Sequence, residues 1–223
     1  MSSHLEELPL FPLNLVLFPY AEMQIRVFES RYREMVNFCM QCDTGFGVVL
    51  IKSGQEVGEP AEPYLVGTAV RIVSVQTFDD GQMDVVIKGE RRFRIRKLDQ
   101  SRPYLVGYVE PLIEMELEPS PRADALLMKT RESFQTYMEN YFSRFEMRVV
   151  KTNLPEDATA LSFAVAHTLH IENLEKQHLL ETTDTLERIS AMLPILQAHI
   201  EATAPPRYQK LTSEELSEWI TNN

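Results

Sequence analysis

Three groups of residues in this chain have types and spacings that do chemistry in suitable surroundings. Cys39-Met40-Gln41-Cys42 has the C-x-x-C spacing of redox and zinc sites. A four-ligand zinc site needs two more ligands in a matching pair, and the chain has no second pair of cysteines. The motif also falls late in a predicted helix, not at its start, where thiols are activated. The expectation is therefore two cysteines on one helix face, at least one of them buried. His167 and His170 share a helix face, with Glu172, Glu175 and His178 close behind. That spacing is not H-E-x-x-H and does not build a metal site, so solvated or capping histidines are expected. The third group is basic: Lys88, Arg91, Arg92, Arg94, Arg96, Lys97 and Arg102 against Glu90 and Asp99. Arg92, Arg94 and Arg96 alternate with Phe93 and Ile95, which predicts the solvent face of a strand. The same three arginines are the candidates for an anion or RNA site.

No phosphate-binding loop, dinucleotide fingerprint or nucleophile elbow occurs. No catalytic residue, metal site or cofactor is predicted. The net charge of −11 disfavours binding to phosphate backbones, which needs clustered cations. Up to Ile113 there are 12 basic and 15 acidic groups; beyond it there are 10 and 18, so the acidity lies mainly in the second half. The hydrophobic share of 44% and charged share of 25% are those of a globular protein. Two cysteines are no disulfide framework, and the expected location is cytoplasmic.

The elements that must position these groups change type along the chain. From Leu8 to Tyr20 there is no charge, and Pro9, Pro12 and Pro19 punctuate two apolar runs. The acidic flank and the prolines argue against a signal or spanning helix. An edge strand followed by a turn at Phe18-Pro19-Tyr20 is predicted, because proline is tolerated at edges. Met23, Ile25 and Val27 alternate with Gln24 and Arg26, the period of a half-buried strand. Tyr32, Met35, Val36, Cys39 and Met40 then recur at helical spacing. Gly47 to Ile51 reads as a buried strand, and Val66 to Phe78 as another. Asp80-Gly81 marks a hairpin. Met83 to Lys88 returns, Gly89-Glu90 is expected to turn, and strands over Arg91–Leu98 and Tyr104–Leu112 close this half.

The second half is helical. Ser120-Pro121 starts a helix expected to run to about Arg148, close to 40 Å at about 1.5 Å per residue. Pro155 opens a second helix, Asn173 caps a third, and Thr183 or Asp184 caps a fourth that holds Pro194 and should kink there. Thr212 and Glu215 form a capping-box pattern ahead of Leu216, Trp219 and Ile220. This short face is expected to dock on the body or to bind a partner. The predicted divisions are a β domain over 1–116, a helical bundle over 117–204 and a tail over 205–223.

Leu8-Pro9-Leu10-Phe11-Pro12-Leu13 through Phe18-Pro19, then Phe28-Glu29-Ser30-Arg31-Tyr32, resemble the start of the amino-terminal domain of Lon proteases. So do Val66-Gly67-Thr68-Ala69-Val70-Arg71-Ile72, Asp80-Gly81 and Gly89-Glu90-Arg91-Arg92-Phe93-Arg94-Ile95, in the family's order. Lys176 to Glu181 and Leu186-Glu187-Arg188 extend the resemblance to roughly residues 6–203. It implies an α+β fold: a PUA-like β-barrel or folded sheet with one helix, followed by an α-helical bundle. In full Lon proteases an ATPase module and a Ser–Lys peptidase domain follow, and this chain ends where they would begin. With no phosphate loop, neither activity carries over. The chain is similar to stand-alone Lon substrate-binding-domain proteins of bacteria.

The expected function is non-enzymatic recognition of unfolded or tagged polypeptides, or of a protein partner, with no membrane association and nucleic acid disfavoured. The alternative is RNA binding through the PUA-like half, using Arg92, Arg94 and Arg96. Met23, Met35, Phe38 and Met147 are the candidate peptide contacts, expected in a cleft between barrel and bundle. Flexible Met and flat aromatic side chains repack readily around varied apolar ligands.

Overall fold

Leu8 to Phe18 is uncharged because it supplies all three apolar clusters found among the described residues. Leu8 and Leu10 pack with Phe93 and Val109 inside the sheet. Phe11, Leu13 and Leu17 pack beneath a helix with Tyr32 and Met35. Val16 and Phe18 meet helices from the second half, including Leu161, Phe163, Leu180 and Ile189. The computed structural model describes residues 5–58, 61–147 and 153–203. Among these, the element order is β1 (Glu6–Leu13), β2 (Glu22–Val27), α1 (Ser30–Gln41), β3 (Phe46–Ser53), β4 (Glu62–Thr77), β5 (Met83–Asp99) and β6 (Leu105–Pro111). Then come α2 (Pro121–Ser143), α3 (Ala158–Thr168), α4 (Asn173–Glu181) and α5 (Thr185–Thr203). The predicted helix at Leu216–Ile220 lies outside the described residues.

The six strands form one mixed sheet in the order β2-β5-β4-β3-β1-β6. Only β1 and β3 run parallel. β5 is long enough to serve two neighbours: Met83–Lys88 pairs with β2, and Phe93–Asp99 pairs with β6. The neighbour chain β5–β4–β3–β1–β6 thus returns to β5. The architecture is a mixed sheet with one helix, followed by a helical region.

Two predictions about this sheet need correcting. β1 is not an edge strand, since it pairs with β6 through Glu6–Leu10 and with β3 through Leu10–Leu13. The two registers overlap only at Leu10. Each half of β1 therefore has one unpaired side, and a proline whose missing N–H would point there costs no ladder bond. Nor do Gly89 and Glu90 turn the chain, because β5 runs straight through them. Ala69 pairs with Arg91 while Val70 pairs with Gly89, so the register slips by a bulge. The glycine serves a close approach. The Gly89 N–H donates to the Ala21 carbonyl at 2.9 Å and its carbonyl accepts from the Tyr20 N–H at 2.8 Å. A Cβ there would lie 2.4 Å from the Phe18 carbonyl oxygen.

Local signals mostly decide the remaining ends. Gly81, at φ 78°, makes the hairpin between β4 and β5. Ser120 Oγ accepts from the Ala123 N–H at 3.2 Å and Pro121 takes the first position of α2. That helix stops at Ser143, short of Arg148, and Glu146 just beyond it adopts a positive φ of 57°. α3 opens at Ala158, not at Pro155, and Asp157 caps it, accepting from the Ala160 N–H at 2.7 Å. Glu172 stands at the cap of α4; Asn173 instead spends its side-chain amide on the Asn14 carbonyl at 2.7 Å, tying helix to sheet. Asp184 caps α5, which continues through Pro194.

Candidate functional site

The basic strand divides. Arg92 is only 3% exposed, so it is not part of a solvent face. Arg92 pairs with Thr68 of β4, on a face that the helical region covers. Its Nη1 donates to the Leu180 and Thr182 carbonyls and its Nη2 pairs with Glu114. Arg188, fully buried, reaches the same carboxylate from α5 at 3.1 Å and donates to Ser162 Oγ and the Thr182 carbonyl. The two guanidiniums lie 5.2 and 4.1 Å from the Phe163 ring centre. Burial pulls Arg92 down to about 10, and Arg188 pushes the same way, against Glu114. Arg188 is lowered by the same cause. Two guanidiniums on one carboxylate make this an ionic joint between sheet and helices, and its burial closes it to any ligand.

Most of the other cations in the run are spoken for. Arg96 pairs with Glu110 at 2.5 Å, Arg102 with Glu7 at 2.7 Å, Lys88 with Glu22 at 3.1 Å, and Arg91 with Glu6. Lys97 lies over the Tyr108 ring. The Arg96 hydrogen bond holds the Glu110 carboxyl below its usual range, and half-buried Arg94 adds a smaller pull the same way. Arg92, Arg94 and Arg96 therefore do not form a common anion surface, and RNA binding has no support.

Cys39 is buried, with its Sγ donating to the Gly45 carbonyl at 3.3 Å, while Cys42 is exposed; both are free thiols. Burial pushes the Cys39 thiol up to about 11, the reverse of an activated thiolate. His170 Nδ1 bonds the Tyr137 hydroxyl at 2.8 Å and its ring stacks on Tyr141. His167 is half-buried, its ring edge-on to Phe18, and burial lowers its pKa. Among the described residues no group of three or more His, Cys, Asp and Glu could hold a metal ion.

The four candidate peptide contacts do not come together. Met35 is fully buried in the cluster beneath α1, and Met23 and Phe38 pack against that cluster. Met147 is exposed after α2. The space between sheet and helices is filled by the apolar cluster around Phe18 and Phe163. Met23 and Phe38 line separate cavities, of about 180 and 650 Å³. The smaller one is the more apolar. Phe11, Leu13 and Tyr32 are its buried base, and Leu15, Met23 and Phe28 line it nearer the surface. Val57 and Glu56 stand exposed at its mouth. Phe28 was the readable signal: it breaks the β2 alternation by placing an aromatic residue on the polar parity. Val57, in a loop without periodicity, gave none.

A mixed sheet locked to a helical region, with a separate apolar groove beside β2, is an α+β module with an ionic seam. The chain matches the family model of the ATP-dependent protease La (LON) substrate-binding domain over residues 7–198, and it belongs to that family. It is 27% identical over 198 residues to a Lon protease of Cytophaga hutchinsonii, covering 87% of this chain and 24% of that protein. It is 28% identical over 202 residues to Lon protease 1 of Thermus thermophilus, covering 87% and 25%. The chain thus spans about a quarter of the length of these relatives. The matched part is the non-catalytic substrate-binding region, not the protease or ATPase domains. Among solved structures, a Lon N-terminal domain protein from Xanthomonas campestris superposes with a TM-score of 0.62 at 27% identity, over 85% of this chain and 98% of that one. The N-terminal domain of a Mycobacterium avium complex Lon protease gives 0.65 at 18% identity, over 88% and 98%, and shows the fold alone.

Proposed function

We propose that this chain recognises unfolded or tagged polypeptide segments and performs no chemistry on them. The family match over residues 7–198 to a substrate-binding domain carries the reading. The apolar groove beside β2 gives it a place to act, with Met23 among its lining residues and Phe28, Leu15 and Val57 beside it. Of the four candidate contacts only Met23 lines this groove; Met35 lies buried beneath α1, Phe38 lines the separate cavity, and Met147 is exposed after α2. We read the returning circuit of strand pairings as a PUA-like pseudo-barrel, and divide the chain into a β domain over 1–116, a helical bundle over 117–204 and a tail over 205–223. The two free thiols suit a reducing, cytoplasmic setting.

The test is binding of the purified chain to a fluorescent, permanently reduced and alkylated protein and to its native, disulfide-bonded form. Micromolar binding to the unfolded form alone is expected. No binding to the unfolded form up to about 100 μM, the weak end of specific recognition, overturns the reading.

A further inference from the structure

β2 pairs with β5 along its whole length, Glu22 with Lys88 through Val27 with Met83. It stands at the end of the strand order, and no strand among the described residues pairs with its other side. Such an edge presents a row of unpaired N–H and C=O groups, a template that fits an extended backbone. Proteins usually shut such an edge with proline, an inward charge or a bulge. β2 has no proline and no register shift against β5. Its charged side chains are drawn the other way: Glu22 pairs with Lys88 at 3.1 Å and Arg26 with Asp84, both on β5. Both charges of the strand are thus engaged on the β5 side.

The apolar groove runs along this edge. Successive residues Met23 to Glu29 line it, of both parities, which a cavity on one face of a strand would not allow. Its volume of about 180 Å³ lies below the usual range for small-molecule sites, about 300–1,000 Å³, and suits a single large side chain. Glu56 stands exposed at the mouth with no ion pair among the described residues, so a cation fits there.

We propose that an extended polypeptide segment adds to β2 as the next strand, seating one large apolar side chain in the groove and a neighbouring Lys or Arg against Glu56. This rests on the polypeptide-binding reading and specifies its mode. Backbone pairing gives affinity for many sequences, and the groove with its carboxylate gives the preference.

The test uses the full chain and a short fluorescein-labelled peptide that alternates threonine with leucine and carries one arginine. Two further versions carry N-methyl groups on alternate backbone amides, one set on odd positions and one on even. A strand in a ladder turns only alternate amides toward its partner. One version should therefore lose about tenfold or more in affinity while the other changes little, since N-methylation removes the ladder donor and adds a clash on that side alone. Val57→Asp and Phe28→Asp, at exposed positions, should weaken the peptide by a similar factor with the circular dichroism spectrum unchanged. Glu56→Lys should abolish the preference for arginine over glutamate in the peptide. Equal losses from both methylated sets, or none from either, overturn strand addition. If the unfolded protein still binds in that case, the polypeptide reading stands without it. If neither peptide nor unfolded protein binds, both fall.

Discussion

The covered face of β4 and β5 and the free edge of β2 belong to one sheet, and they dispose of their polar groups in opposite ways. On the covered face, Gln177 of α4 donates to the Val66 carbonyl at 3.0 Å, and Arg92 reaches across to the carbonyls that end α4. Glu114 stands between two buried guanidiniums. At β2 the outward backbone borders the groove and has no strand partner among the described residues. A surface that must never open has most of its polar groups satisfied from within the chain, because an unpaired buried group costs about 1–3 kcal/mol; Gln177 Oε1 and His167 Nδ1 are exceptions on this face. A surface that is to be filled by a partner leaves them to water until it arrives.

The sharpest way to break this contrast is at the joint. Glu114→Ala strands two buried cations and should cost about 3–5 kcal/mol, read from the urea midpoint. Replacing Arg92, Glu114 and Arg188 together by leucine should cost far less, since a well-packed apolar substitute avoids the desolvation of the ions. If the single variant is no worse than the triple, the ionic seam does not hold the two halves in place. Next in size is Gly89→Ala. Its new Cβ meets the Phe18 backbone oxygen, which cannot swing aside, and a loss of about 1–3 kcal/mol is expected in the same assay.

A smaller effect concerns His167, whose ring lies against Phe18 at the joint. Burial, helped by Lys176, holds its pKa below the ordinary value of about 6.5. The unfolded chain then takes up this proton more readily than the folded one. Stability is complete above about pH 6.5 and declines as the pH falls through that value. His167→Gln should flatten the decline between about pH 7 and 5; an unchanged slope would assign it to other groups. Smallest is Phe28→Ser at the groove, expected within about 0.5 kcal/mol of the unaltered protein because the ring is half in solvent. A loss several times larger would mean that the groove is part of the core, and the contrast with the joint would fail.

What was legible follows from range. The alternation of Met23, Ile25 and Val27, the helical spacing of Tyr32, Met35 and Val36, the Asp80-Gly81 hairpin and the Ser120-Pro121 start are all local, and each element formed where the pattern lay. The turn expected at Gly89 did not form. The same residue type serves a tight turn or a close approach, and the Phe18 backbone that demands the approach is far away in sequence. β1 was misplaced because its prolines speak of missing donors, not of how two partner strands divide one strand between them. The groove was half legible: Met23 came from its pattern, whereas Val57 became a neighbour only through the loop that brings it to the groove.

By itself the sequence determined the elements, the family and the apolar character of Leu8 to Phe18, because these depend on side-chain types at short spacing. The tertiary structure alone decided which face of a strand meets water. Arg92 and Arg96 sit in one alternating run, yet one is buried under helices and the other is exposed. The carbonyls that receive Arg92 lie 88 and 90 positions along the chain, beyond the reach of any local pattern. The uncharged opening stretch likewise declared that it would be buried, and only the fold divided it among three cores.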